Sequence, residues 1–233
     1  MAKKKRILMV LTSHDLLGVS GKKTGNWFDE VATPYYAFRE AGLDTTLSTP
    51  RGGAAPIDPF SYEDVFMSEN TRRFLRDEAA QRALAGTLRF SDIDVNDYAG
   101  VFFPGGYGQL WDLASDSRVI RALESWVDRE IPVAMVCHAP AILRDAKKRD
   151  GEPLVKGCNV TGFTDAEDDE LDLSRHLLFS LEKALIANGA SFQRAGRNWS
   201  PNVVEHGALI TGQNPASAAP IAAALVARVT RRP

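Results

Sequence analysis

The amino-acid sequence predicts an α/β protein whose mostly parallel central β-sheet is covered by helices on both faces. Short runs of apolar or β-branched residues recur along the chain, and amphipathic stretches with helical spacing lie between them. Runs that are apolar throughout indicate strands buried on both faces, as in parallel sheets. The predicted strands are residues 7–11, 45–48, 101–103, 133–136 and 208–211.

The stretches between the strands carry the signals of helices. Residues 27–41 precede Gly42, and glycine is common just after a helix. Pro34 should either kink this first helix or mark its true start, because proline lacks the N–H that a helix interior needs. Further helices are predicted at residues 117–129, 177–188 and 215–232.

Residues 51–96 are the part of the chain that looks least like a sheet. The segment opens with glycine, alanine and proline, and it continues with the charged, helix-prone residues 67–84. A segment of this size could scarcely bury a core of its own. We therefore predict a single domain over residues 1–233, with a helical insertion at about residues 51–96.

The composition argues against several classes of function. A formal net charge of −2 offers no attraction to nucleic acid. The apolar run at residues 7–11 is too short for a secretory signal, and no stretch approaches the roughly 20 apolar residues of a membrane span. Cys137 and Cys158 cannot form a disulfide framework and are not spaced as zinc ligands. We expect a cytoplasmic protein with no nucleic-acid or membrane partner.

The strongest candidate for chemistry is Cys137, which follows the predicted strand 133–136 and precedes His138 and Pro140. A nucleophile at such a strand-to-helix junction projects from the carboxyl edge of the sheet, where open α/β sheets bind ligands. The start of the following helix would depress the pKa of the thiol. The alternative is a small buried residue without a chemical role, but the adjacent histidine favours a nucleophile.

The second candidate motif is the run of glycines that follows the predicted strand 101–103. Gly105 and Gly106 allow a sharp turn and a close approach to a ligand, and their N–H groups could hold an oxyanion. An ordinary glycine turn is the alternative. Because the carboxyl ends of parallel strands share one edge of the sheet, this loop should lie beside Cys137.

Acidic residues that could assist Cys137 occur in two places. Asp29 and Glu30 lie near the start of the first predicted helix, and their spacing does not distinguish between them. Residues 165–170 contain an acidic cluster, one of whose side chains could orient a buried histidine, although such clusters are usually solvated surface. His14 ends the first strand and is a further candidate for the same crevice.

Taken together, these motifs resemble the ThiJ/PfpI superfamily, and within it the branch of heat-shock chaperones and glyoxalase III enzymes. The resemblance implies a flavodoxin-like three-layer sandwich, shared with the class I glutamine amidotransferases. A true glutamine amidotransferase would place a histidine and a glutamate together far downstream of the cysteine, and this sequence does not. The matching segments are residues 27–36, 103–107, 137–140, 161–166 and 209–216.

The resemblance assigns roles that the spacing could not assign. It makes Cys137 the nucleophile, Glu30 the acid that hydrogen-bonds the thiol, and His138 the histidine of the triad. Adjacent residues do not face each other on a regular helix. A Cys-His pair therefore requires a strained turn at Cys137, which is a prediction in itself.

The rest of the site also comes from the resemblance. Asp168 becomes the acid that orients His138, with Glu167 and Asp169 as alternatives. The N–H groups of Gly106 and His138 become the oxyanion site. Three further residues are expected to contact the substrate: Gly105, Tyr107 and Phe163.

The implied activity is that of a glutathione-independent glyoxalase. Such an enzyme converts methylglyoxal into lactate through a hemithioacetal on Cys137, with no organic cofactor or metal. Deglycase activity on glycated amines would use the same first step. The alternatives are a stress-related holdase chaperone or redox sensor that uses Cys137, and a PfpI-type cysteine peptidase. A homodimer is expected.

Overall fold

The computed structural model describes residues 4–231. Its strands are β1 (Arg6–Val10), β2 (Asp44–Thr49), β3 (Leu88–Arg89), β4 (Gly100–Phe103), β5 (Val133–Val136), β6 (Asn159–Val160), β7 (Ser191–Phe192), β8 (Val203–His206) and β9 (Leu209–Gly212). Seven of them form one sheet in the order β3-β2-β1-β4-β5-β9-β8, and β6 pairs separately with β7. Within the large sheet only β8 and β9 are antiparallel. The prediction of a mostly parallel sheet is confirmed.

Seven helices surround the strands in the described range. They are α1 (Phe28–Glu40), α2 (Glu69–Arg76), α3 (Glu78–Ala85), α4 (Ser117–Asp128), α5 (Asp165–Glu170), α6 (Leu181–Ala187) and α7 (Ala218–Arg231). None of the helices between residues 4 and 231 is long and apolar enough to cross a membrane.

The centre of the sheet explains why its strands could be predicted. Every residue of β4, β5 and β9 is buried. These strands have helices on both sides of the sheet and accept only apolar or small residues. They also end in register, because Phe103 pairs with Met135 and Val136 pairs with Gly212. The segments that follow β4, β5 and β9 therefore meet at one edge of the sheet.

Two predicted helices begin elsewhere than expected. The first, α1, begins at Phe28, so Pro34 lies inside it and does not mark its start. The last, α7, begins at Ala218 rather than at residue 215, because Pro215–Ser217 form a 3-10 turn. Position 232, the predicted end of that helix, lies outside the described residues.

Side-chain caps explain two further differences. The helix predicted over residues 67–84 is split into α2 and α3, because the Asp77 carboxylate accepts two N–H groups of the first turn of α3 and so starts a new helix. The helix predicted from residue 177 begins only at Leu181, where the Ser180 hydroxyl caps the first turn of α6.

The insertion packs onto the main core. Its last part is not helical, since β3 extends the edge of the sheet beside β2. Its buried apolar side chains belong to the same hydrophobic cluster as the central strands, and they include Phe74, Ala80, Leu84 and Phe90. The single domain over residues 1–233 stays a prediction.

Candidate active site

Cys137 occupies a strained turn directly after β5. Its φ is +61°, in the left-handed region that residues other than glycine rarely adopt. The turn is held from both sides, because the Cys137 N–H donates to Gly212 O at 3.0 Å and its carbonyl accepts from Phe163 N at 2.9 Å. The segment after it is a short 3-10 helix, Ala139–Arg144. Such strain persists only where the surroundings over-determine the conformation, as they do here.

His138 is buried beside the thiol. Its Nδ1 lies 3.4 Å from Cys137 Sγ. The imidazole is held between two aromatic rings, with centroid distances of 4.4 Å to Tyr107 and 4.5 Å to Phe163. The turn at Cys137 thus brings two adjacent side chains together in a way that a regular helix could not.

Asp168, near the start of α5, contacts the other nitrogen of the imidazole. His138 Nε2 lies 3.2 Å from Asp168 Oδ1 and 3.4 Å from Oδ2. The Tyr107 hydroxyl donates to the same Oδ1 at 3.0 Å. Because a carboxylate only accepts hydrogen bonds, this network assigns the imidazole proton to Nε2 and leaves Nδ1 free to accept the thiol proton.

The two alternative acids point elsewhere. Glu167 is buried, and it completes a capping box with Thr164 at the start of α5. Asp169 is exposed and accepts a hydrogen bond from Ser174. The remaining donors to Glu167 come from the end of β9 and the segment before β8, and they are Trp199 N, Gln213 Nε2 and Asn214 Nδ2. Of the three acids, only Asp168 is within hydrogen-bonding distance of His138.

Glu30, in the first turn of α1, faces the cysteine, and Asp29 does not. Glu30 is fully buried, and its Oε2 accepts the Gly105 N–H at 2.7 Å. Burial raises the pKa of Glu30 from 4.5 to about 8, against the opposing effect of hydrogen bonds from Gly105 N–H and the Cys137 thiol. Asp29 instead accepts the Thr33 hydroxyl at 2.8 Å, on another side of α1.

The loop after β4 contains two glycines at positions where a larger side chain has no room. A Cβ atom at Gly105 would lie 2.4 Å from Cys137 Cβ and 2.6 Å from Glu30 Oε2. Gly106 has a φ of +108°, and a Cβ there would lie 2.1 Å from Gly25 O. The backbone N–H groups of Gly106 and His138 both act on the Cys137 sulfur, where they lower the pKa of the thiol. Two N–H groups therefore converge where an oxyanion could form.

The expectation that a helix start depresses the pKa of Cys137 is wrong for this structure. Burial raises the pKa of the thiol well above its usual value, and the neighbouring Glu30 charge raises it further. The N–H groups of Gly106 and His138 act in the opposite direction. The following 3-10 helix is too short to outweigh a buried carboxylate. A charge on Glu30 therefore opposes formation of the thiolate.

The thiol opens into a pocket of about 490 Å³. Cys137 and His138 are buried at its base, whereas Trp199 and Phe60 are more than a third exposed and lie towards its mouth. His14 is not among the lining residues, because it stacks on Trp111 with a centroid distance of 5.2 Å. The aromatic lining residues are Trp27, Phe60, Phe66, Tyr107, Phe163 and Trp199.

Four of these aromatic residues were not predicted from the sequence as parts of the site. Trp27 precedes α1, Phe60 and Phe66 come from the insertion, and Trp199 comes from the loop before β8. The available signal was the occurrence of large aromatic residues in otherwise polar, irregular segments, where a packed core does not explain them.

A larger cavity, of about 890 Å³, lies beside α4 and the start of β9, at the opposite ends of the strands. It contains Cys158 and His206, and both side chains make hydrogen bonds to nearby backbone groups. Cys158 Sγ lies 3.5 Å from Leu154 O, and His206 Nδ1 accepts the Asn159 N–H at 3.3 Å. Burial raises the pKa of Cys158. No group of three or more potential metal ligands occurs within residues 4–231. The smaller pocket at Cys137 therefore remains the candidate for the active site.

Known proteins resemble the chain over almost all of its length. It is 30% identical over 229 residues to Glyoxalase 3 of Candida albicans, covering 95% of this chain and 97% of that protein. It is also 30% identical over 223 residues to the glutathione-independent glyoxalase HSP31 of Saccharomyces cerevisiae, covering 92% and 93%.

Solved structures give the same result for the fold. The crystal structure of glyoxalase III from Candida albicans superimposes with a TM-score of 0.88 at 30% identity, covering 96% of this chain and 97% of the other. The Rapid Encystment Protein of Francisella tularensis superimposes with a TM-score of 0.92 at 30% identity, covering 97% and 99%. The predicted flavodoxin-like fold is confirmed. Since residues 28–228 also match the model of the DJ-1/PfpI family, the chain belongs to the DJ-1/PfpI family.

Proposed function

We propose that this chain is a glutathione-independent glyoxalase that converts methylglyoxal into lactate without an organic cofactor. One observation carries the proposal. The buried thiol of Cys137 lies 3.4 Å from His138 Nδ1 at the base of an apolar pocket, and beside it lies the Glu30 carboxyl group, whose pKa is raised to about 8. The relatives named above as glyoxalases support the choice of substrate.

The first step is the addition of Cys137 to the aldehyde carbon. The sulfur forms a bond to that carbon, and the carbonyl π electrons move to the oxygen. The N–H groups of Gly106 and His138 stabilise the oxyanion, which then takes up the thiol proton through His138 Nδ1. The product is a hemithioacetal.

The second step moves a hydrogen between the two functional carbons of the substrate. A base removes the proton from the hemithioacetal carbon, and an enediol forms. Protonation of the neighbouring carbon then gives the thioester of lactate. His138 and Glu30 are the two groups at the sulfur that can exchange a proton, and the pKa of Glu30, raised to about 8, suits this task near neutral pH.

Hydrolysis completes the cycle. Water attacks the thioester carbonyl, the carbon–sulfur bond breaks, and lactate leaves with the thiol restored. Electrons balance within the substrate, because the aldehyde carbon is oxidised while the ketone carbon is reduced. Methylglyoxal and water are thus the only reactants.

Lactate formation from methylglyoxal, measured without glutathione, tests the proposal. The wild-type protein should form lactate, and the Cys137→Ala variant should not. Equal rates in the two proteins would reject the glyoxalase function and would favour a redox sensor or a chaperone instead.

Paired variants test the role of Asp168. Asp168→Asn keeps the shape of the side chain but weakens its control of the imidazole tautomer, and should lower kcat by about 10²–10⁴-fold. The matched control is Asp169→Asn, at the exposed neighbouring position, which should stay close to wild type. A loss of equal size in both variants would remove Asp168 from the proposed triad.

We also propose a homodimer and a cytoplasmic location for this enzyme. Light scattering of the purified protein tests the first, and cell fractionation tests the second. A monomeric mass or a membrane-bound or exported fraction would reject the respective proposal.

A further inference from the structure

Trp199 lines the pocket from the loop before β8 and is held by two carboxylates. Its backbone N–H donates to Glu167 Oε1 at 2.9 Å, and its indole Nε1–H donates to Glu170 Oε2 at 2.5 Å. Its ring also meets Phe163 edge-on, with a centroid distance of 5.5 Å. The backbone of Trp199 is therefore held at one point and its ring at two.

The backbone of Trp199 is strained as well. Its φ is +64°, which is an outlier for a bulky residue. Such a conformation survives only where the surroundings impose it, and strained residues cluster at ligand-binding positions. Here the constraint comes from Glu167, which is fully buried and also accepts hydrogen bonds from Gln213 and Asn214 at the end of β9. The loop is thus tied to the sheet that carries Cys137.

The pocket is much larger than methylglyoxal requires. Its volume of about 490 Å³ would hold roughly 16 water molecules at about 30 Å³ each. Methylglyoxal offers a single methyl group to the apolar walls. The polar groups at the base, Cys137, His138 and Gly106, can bind the two carbonyl groups, so the aromatic walls remain available for a larger substituent.

Aromatic residues from other parts of the chain also line the pocket. The Trp27 ring packs edge-on against Phe66, with a centroid distance of 5.1 Å, and against Phe60, with a centroid distance of 6.2 Å. Rings arranged in this way favour a flat apolar or aromatic ligand through edge and face contacts.

We infer that Trp199 is a specificity-determining residue and that the preferred substrates are 2-oxoaldehydes whose ketone carbon carries a large apolar group, with an aryl group fitting best. The inference rests on the glyoxalase function proposed above. The chemistry is unchanged and balanced: phenylglyoxal and water give mandelate, with the aldehyde carbon bonded to Cys137 in the intermediate and the phenyl ring against the aromatic walls.

Initial rates with methylglyoxal and phenylglyoxal test this inference, with lactate and mandelate as the measured products. Wild-type KM should be lower for phenylglyoxal by about tenfold or more. Trp199→Ala should lower the ratio of kcat/KM for phenylglyoxal to that for methylglyoxal by about tenfold or more, mainly through KM. Trp199→Phe keeps an aromatic wall and should retain most of the preference.

Trp111→Phe is the matched control, because Trp111 stacks on His14 outside the pocket. It should leave the ratio unchanged. A binding measurement separates recognition from chemistry: acetophenone, which has the aryl ketone but no aldehyde, should inhibit lactate formation competitively in wild type and about tenfold less strongly in Trp199→Ala.

The outcomes distinguish this inference from the proposed function. If lactate forms in a Cys137-dependent manner but the two substrates have equal KM, or Trp199→Ala affects both equally, the glyoxalase stands and this inference is overturned. If neither lactate nor mandelate forms above the level of Cys137→Ala, the proposed function fails and the inference fails with it.

Discussion

Cys137 and Glu30 compete for one proton in a buried site. Burial raises the pKa of both groups, and a charge on either one opposes ionisation of the other. Only one negative charge is therefore favourable, either on the sulfur or on the carboxylate. We propose that a thiolate beside a neutral Glu30 is the reactive form, because the carboxyl group can then donate a hydrogen bond to the sulfur.

Glu30→Gln tests this competition at the level of one residue. The substitution removes the carboxylate charge, so alkylation of Cys137 by iodoacetamide should become faster than in wild type. Lactate formation should nevertheless fall by about 10²–10⁴-fold, because an amide cannot exchange the proton. Peptide mapping identifies the alkylated cysteine, and Asp29→Asn is the neighbouring control. A Glu30→Gln variant with the wild-type rate of lactate formation would show that Glu30 moves no proton.

Glu30 should also make the stability of the protein depend on pH. Its pKa is 4.5 when exposed to water and about 8 when buried, so the folded state binds more protons between these values. The free energy of unfolding should therefore fall as the pH rises from 4.5 through about 8, by up to ~1.4 kcal/mol per pH unit from this group. Thermal unfolding of wild type and Glu30→Gln across this range measures the effect. Parallel curves for the two proteins would contradict it.

At the scale of single residues, the sequence could predict the role of a side chain only where its neighbours along the chain decide that role. Cys137 was recognisable because a buried strand and a histidine flank it. Glu30 could not be distinguished from Asp29, because the choice depends on how α1 is rotated against the sheet. The aromatic walls, drawn from residues as distant as Trp27 and Trp199, could not be recognised before the chain was folded.

At the scale of elements, the loop after β4 brings the sulfur, the carboxyl group and the oxyanion donors together. Gly105→Ala should destabilise the protein by about 1–3 kcal/mol, because the new methyl group would overlap Cys137 and Glu30. Activity should fall as well, since the loop must shift. Urea unfolding compares this variant with Gly196→Ala, where a Cβ would meet no atom within 4 Å. Equal unfolding midpoints for the two variants would contradict the required close approach.

The elements differ in how far they could be predicted, and burial explains the difference. The central strands β4, β5 and β9 are buried on both faces, and their apolar runs predicted them to within one residue. The strands β3 and β8 lie at the sheet edges, are exposed or half-exposed, and have no such run. The break between α2 and α3 depends on the cap at Asp77, which interrupts a stretch that is otherwise helical in composition.

At the scale of the whole molecule, the pocket depends on the insertion packing onto the main core. Phe60 and Phe66 at the pocket mouth belong to residues 51–96, and the segment is anchored by Phe74. The Phe74 ring is fully buried, and three aromatic rings of α1 surround it with centroid distances of 5.3–6.1 Å; these are Phe28, Tyr35 and Tyr36. Since α1 also carries Glu30, the insertion packs on the helix that holds one of the proposed catalytic residues.

Phe74→Ala tests whether the chain unfolds as the single domain predicted from its sequence. It should cost about 3–5 kcal/mol, because it leaves a cavity in the core. Leu75→Ala, at the next position of α2 where the side chain is 46% exposed, should stay within about 0.5 kcal/mol of wild type. Phe74→Leu provides a milder version should the alanine variant not fold. In every variant that folds, tryptophan fluorescence, circular dichroism and enzyme activity should be lost in one coincident transition, because the insertion and the sheet share a core. An early transition of the insertion alone, with lactate formation retained, would instead make residues 51–96 a separate folding unit.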